Sequence, residues 1–292
     1  MSQSNNIPLG IGLMIATTFV FAVQDGLSRH LAGEYNVLMV VMIRYWFFAA
    51  FVIALARRNA GSIRAAAQTS QPMLQALRGL LLAAEICVMV AAFTILGLVE
   101  SHAVFTCYPL LVAALSGPVL GEKVGWRRWM AIGVGFVGVL VILQPGIGVF
   151  EPAAAIPLLA AAMFAVYGLL TRFVSRQDTT ATSFFWTGTA GAVAMTLVGL
   201  WFWEPMSGTD WIYMACLCVT GVTGHWLLIR CYEVAEASAV QPFAYFQLAF
   251  GAIIGISIFS EVIRTNVAIG AAIIIAAGLF TFWRERLQSR AD

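Results

Sequence analysis

The sequence predicts an all-α membrane protein of ten transmembrane helices, built as two inverted five-helix repeats over residues 1–150 and 151–292, with both termini cytoplasmic. Three observations carry this reading. The chain is 61% apolar and 10% charged, where a soluble domain carries roughly 25% charged residues. Its basic residues gather on one side of the implied membrane. A nine-residue pattern at the end of the first apolar run returns at the end of the sixth.

An apolar run of about 20 residues crosses the hydrocarbon core as a helix. Runs bounded by charge, Gly or Pro give spans near 8–31, 37–56, 74–98, 101–121 and 127–145. The second half gives 154–175, 180–203, 210–232, 238–260 and 266–284. The first run is a retained span rather than a signal peptide, because no basic n-region precedes it and no small-residue cleavage site stands before Gln24-Asp25. Placing the N-terminus inside puts Arg57, Arg58, Arg64, Lys123, Arg127, Arg128, Arg172, Arg176, Arg284, Arg286 and Arg290 on the cytoplasmic side and only Arg29 and Arg264 outside. This is the positive-inside pattern. Trp201, Trp203 and Trp211 then flank one outer loop, while Trp126, Trp129 and Trp283 sit at inner ends, as an aromatic belt requires.

The repeat is Phe21-Ala22-Val23 then Leu27-Ser28-Arg29 in the first span, and Phe164-Ala165-Val166 then Leu170-Thr171-Arg172 in the sixth. Further anchors follow in order: Glu100 with Ala103-Val104 matches Glu236 with Ala239-Val240, and Glu122 matches Glu261. An odd number of helices per half turns the second half upside down, the arrangement in which two similar bundles exchange inward-open and outward-open states.

Several function classes lack support. Net charge is +2 with dispersed basic residues, so a nucleic-acid footprint is missing. There is no Gly-x-Ser-x-Gly, no His-Glu-x-x-His and no His/Cys cluster, so an enzyme has no visible constellation, and neither a metal site nor a cofactor is expected. The five cysteines, Cys87, Cys107, Cys216, Cys218 and Cys231, all lie within apolar stretches and read as buried thiols.

Gly121-Glu122 and Ser260-Glu261 each precede a short polar loop and a glycine-spaced helix, Gly133 through Gly138 and Gly270 through Gly278. On these residues and the repeat, the chain resembles the drug/metabolite transporter superfamily and its EamA-type ten-helix carriers, and is most similar to their bacterial aromatic amino acid exporters. The resemblance covers essentially the whole chain. It implies a multi-pass protein of the bacterial inner membrane that exports aromatic and other neutral amino acids by alternating access. A drug or another small metabolite is the alternative cargo, and an intramembrane enzyme or scaffold the alternative of another class. The expected partners are the small solute and the lipid bilayer, not nucleic acid, and a pseudo-symmetric chain of this kind can work as a monomer.

Ionisable groups within hydrocarbon are costly and mark function or a structural pair. Asp25 and Arg44 lie six or seven residues from the ends of adjacent antiparallel spans, hence at similar depth, and are expected to satisfy each other. Glu85, about eleven residues into the third span, is a candidate cation or proton site, or else a partner of Arg44 or a protonated buried acid. His225, beside Trp226 in the eighth span, can bind a carboxylate, relay a proton, or bond to a neighbouring helix. The family resemblance favours spans 1, 3, 4, 6, 8 and 9 around a central cavity, which selects Gln24, Glu85, Tyr108, Tyr167, His225 and Tyr245 as substrate-binding candidates. Pro109, Pro118 and Pro242 interrupt spans 4 and 9 and are expected to bend them.

Overall fold

A computed structural model describes residues 6–59, 62–121, 125–143 and 152–288. The helices are α1 (Ile7–Glu34), α2 (Val37–Asn59), the short α3 (Ile63–Ala67), α4 (Pro72–Leu96), α5 (Leu98–Phe105), α6 (Tyr108–Leu120) and α7 (Trp126–Leu143). The second half holds α8 (Ala155–Val174), α9 (Thr180–Gly199), α10 (Gly208–Val234), α11 (Ala237–Ala244), α12 (Phe246–Phe259) and α13 (Thr265–Gln288). Among the described residues eight stretches are long and apolar enough to cross a bilayer, counting α5–α6 and α11–α12 as one each, and two shorter apolar helical stretches lie at 132–142 and 265–277. Glu122, Lys123 and Arg290, part of the repeat and orientation reading, lie outside the described residues.

The polarity of the fold is inverted relative to a soluble protein. Leu197, Val193, Ile253 and Ile258 face outward, while Arg44, Arg78, Glu85, His102 and His225 are buried. A helix satisfies its backbone internally, so hydrocarbon can surround such an apolar exterior, and the remaining polar side chains turn to one another.

Two spans are broken rather than bent. Between α5 and α6 the chain turns at Thr106 and Cys107, and Pro109, at the start of α6, has no N–H to continue the preceding ladder. Between α11 and α12 it turns at Tyr245, three residues after Pro242. Pro118 lies inside α6, two residues before its last. The ends of the two broken spans match: Gly121 closes α6 and Ser260 closes α12, both left-handed, at φ 72° and 55°.

Packing pairs the helices in a pattern that repeats. α1 lies along α10 and α8 along α4, α12 packs on α1 as α6 packs on α8, and α12 meets α5 as α6 meets α11. α2 pairs with α9 and α7 with α13. The α7–α13 contact is backbone on backbone, since a Cβ at Gly138 would come within 2.7 Å of the Gly270 carbonyl. Gly135 on the same helix packs against Leu110 of α6 instead.

Candidate functional site

A small cavity of about 40 Å³ lies between α1, α2, α4, α5, α8, α10 and α12. On α1, Phe21, Gln24 and Asp25 share one face, being three and four residues apart. On α4, Glu85, Met89 and Phe93 do the same at successive turns. Both broken spans reach the cavity at their breaks, with Phe105 from the end of α5 and Gln247 from the start of α12.

The polar groups fall into two bonded sets and one unbonded group. The Arg44 guanidinium donates to Gln24 Oε1 at 3.0 Å and lies 3.1 Å from His225 Nε2. Arginine only donates, so Nε2 of His225 accepts and its Nδ1 carries the hydrogen. That buried Nδ1 has no partner among the described residues. Arg44 fits beside α10 because residue 221 is glycine: a Cβ there would stand 2.7 Å from Arg44 Nε. The second set centres on Asp25, whose Oδ2 is 3.0 Å from His102 Nε2 and accepts from Gln247 Nε2 at 3.2 Å. The expected pair between Asp25 and Arg44 is therefore not formed. They share the cavity and a depth, but each turns to a different neighbour, because depth fixes height along the helix and not direction around it.

Glu85 stands alone. It is 4% exposed and, among the described residues, takes part in no hydrogen bond or ion pair. Gln247 Oε1 is a second buried acceptor without a partner among the described residues. The cavity thus presents a cation at Arg44, an unpartnered carboxyl at Glu85 and spare acceptor capacity at Gln247. Around them stand the rings of Phe21, Phe93, Phe105 and Phe164.

Of the six candidates drawn from the sequence, Gln24, Glu85 and His225 line the cavity, and Tyr108, Tyr167 and Tyr245 do not. Tyr108 packs behind the wall on Phe105 and Phe164, with ring centroids 4.9 and 5.0 Å apart. Tyr245 is buried at the α11–α12 break. Tyr167 accepts from Arg78 Nη1 at 3.2 Å, in a separate buried cluster. There Arg78 is 0% exposed and also donates to Gln75, Thr171 and the Ser183 carbonyl. Sequence reading passed over Arg78 and His102 as site residues. The signal available was that both are ionisable and lie within or beside an apolar run, but their partners come from distant helices.

The EamA-like transporter family matches the chain twice, over residues 8–144 and 152–283. The chain is 27% identical over 280 residues to the S-adenosylmethionine uptake transporter of Rickettsia prowazekii (strain Madrid E), covering 95% of this chain and 93% of that protein. It is 27% identical over 282 residues to the riboflavin transporter of Vibrio cholerae serotype O1, covering 96% and 94%. A solved crystal structure with 17% identity shares the fold, with a TM-score of 0.67 over 94% of this chain and 96% of that one.

Proposed function

The chain belongs to the EamA-like transporter family, a multi-pass protein of the bacterial inner membrane, and from that premise we propose that it carries a small zwitterionic metabolite with an α-amino acid end. The carrying observation is the cavity that sets Arg44 opposite an unpartnered Glu85 among four phenylalanine rings. Arg44 and the His225 Nδ1–H suit a carboxylate. Glu85 and Gln247 Oε1 suit an ammonium or sulfonium. The rings suit a flat or apolar body. The aromatic and neutral amino acids expected from the sequence share this chemistry with S-adenosylmethionine, the solute named for one relative.

Residues 1–150 and 151–292 act in this reading as inverted halves that expose the cavity alternately, with both termini cytoplasmic, one chain sufficing and no chemical step performed on the cargo. Support comes from the repeated anchors and from the repeated packing, α1 on α10 and α8 on α4. A second reading, a neutral flat heteroaromatic cargo, is favoured by the four rings alone and matches the riboflavin named for another relative.

Exchange in proteoliposomes separates the two. Labelled L-phenylalanine or S-adenosylmethionine is expected to exchange, with riboflavin failing to compete. Glu85→Gln is expected to raise half-saturation about tenfold to a hundredfold, the range of a lost charged hydrogen bond. Riboflavin exchange that ignores Glu85→Gln, with no exchange of either zwitterion, would replace this reading by the second.

A further inference from the structure

His102 Nδ1 lies 2.8 Å from the carbonyl of Leu98. A carbonyl only accepts, so Nδ1 carries a hydrogen, and in a neutral ring Nε2 is then a lone pair. That lone pair faces the Asp25 carboxyl at 3.0 Å. Two acceptors at that distance repel unless a proton lies between them. The pair therefore holds one proton beyond a neutral histidine and a carboxylate, either on the imidazole or on the acid. His102 is fixed in place: its ring stacks on Phe93 with centroids 5.1 Å apart and planes at 23°. The opposite side abuts α12 at Gly251, where a Cβ would meet Nδ1 at 3.0 Å.

We propose that Asp25 and His102 form the proton-binding site of this carrier, and that cargo entering the cavity expels the proton to water. The carrier reading above is the premise for the second half of this statement; the first half stands on the bonds alone. Charge balance motivates the expulsion. Facing the pair are Arg44 on α2, Glu85 on α4 and His225 on α10, while α8 contributes the uncharged Phe164 and α12 the uncharged Gln247. Arg29 and Glu261 lie farther along α1 and beyond the end of α12, paired with each other. The bound proton adds one positive charge to the cavity beside Arg44. A cationic cargo group adds another, so the two repel and compete. Asp25 also bonds Gln247, so one carboxyl joins α1 to elements beside both helix breaks, and its charge reaches the segments that would move.

Two measurements test the proposal. Infrared difference spectra of the purified full chain in detergent, wild type minus Asp25→Asn and wild type minus His102→Gln, should each show one carboxylic-acid or imidazolium band; glutamine at 102 retains a side chain able to bond Asp25. Difference spectra without that band overturn the proton site whether or not any solute is transported. In proteoliposomes loaded with labelled phenylalanine or S-adenosylmethionine, outside acidity should speed efflux several-fold over equal pH. Read as the ratio with and without the gradient within each protein, this acceleration should fall to one in Asp25→Asn. Efflux indifferent to the gradient, or acid-driven uptake instead, overturns competition between proton and cargo. Absence of exchange at equal pH in the wild type would count against the carrier reading instead, and the infrared result would still decide the site.

Discussion

A single glycine decides whether Arg44 reaches the cavity in its bonded pose. The guanidinium lies against α10 at Gly221, where a Cβ would stand 2.7 Å from Nε and 3.4 Å from Cζ. Gly221→Ala should leave the helix intact, since alanine is the better helix former, and push Arg44 off Gln24 and His225. Half-saturation for a zwitterionic cargo is expected to rise about tenfold, the scale of one lost charged bond. Gly208→Ala on the same helix, with open space at its Cβ, is expected to change nothing. Unaltered affinity in Gly221→Ala would remove Arg44 from recognition. This dependence was not legible in the sequence, where Gly221 looks like any other glycine of an apolar span. Gln24, Glu85 and His225 were legible because polarity inside hydrocarbon is expensive and demands a use. The Asp25–Arg44 pair misled because residue counting gives depth, while pairing also needs the azimuth that only packing sets. Tyr167 misled similarly: its hydroxyl faces Arg78, away from the cavity.

Helices were read more surely than contacts between them, because an apolar run records its own length. The expected spans at 37–56 and 210–232 became α2 (Val37–Asn59) and α10 (Gly208–Val234), each a turn or less longer at its ends. The short α3, five residues begun by Ser62, whose Oγ accepts from Ala65 N, carries no such run and was missed. Pro109 and Pro242 foretold interruption, yet the interruptions are full breaks whose flanking residues, Phe105 and Gln247, enter the cavity. The glycine-spaced helices at Gly133 through Gly138 and Gly270 through Gly278 pack on each other closely at Gly138 and Gly270. Gly138→Val is therefore expected to lower stability by about 1–3 kcal/mol, the usual cost of overpacking, measured as thermal unfolding in detergent. Gly133→Ala on the same helix has nothing within 4 Å of its Cβ and should hold or slightly gain stability. Equal melting of the two variants would show that α7 and α13 do not depend on that contact.

At the scale of the whole molecule, alternating access requires contacts that exist in one state and break in the other. One end of the bundle carries a set of contacts between the two halves. Glu261, just beyond α12, accepts from Leu98 N at 2.9 Å and Val99 N at 2.7 Å, capping the start of α5, and pairs with Arg29 at the end of α1. Nearby, Arg264 pairs with Glu100 at 2.8 Å. Arg29 and Glu100 belong to the first half, Glu261 and Arg264 to the second, so every bond here ties one half to the other. The anchors themselves were visible in the sequence as Glu100, Glu261 and Arg29; that they converge was not, because convergence is a property of how the halves dock. If this set closes that end, weakening it should open the cavity there in proportion to what is lost, tenfold in population for about 1.4 kcal/mol. Arg29→Ala removes a partly exposed ion pair, for which about 1 kcal/mol or less is usual, and the guanidinium's contact with the Phe259 ring at 4.1 Å, worth about 0.5–1 kcal/mol, so the shift should be about tenfold. Glu261→Ala also strands two backbone N–H groups, each costing about 1–3 kcal/mol if buried, and should exceed it. Labelling of Gln24→Cys by a membrane-impermeant thiol reagent, added from that side in a Cys216→Ser background, reads the opening directly. Faster labelling in the order wild type, Arg29→Ala, Glu261→Ala is expected, whereas equal rates in all three would mean that the halves are held shut by other contacts.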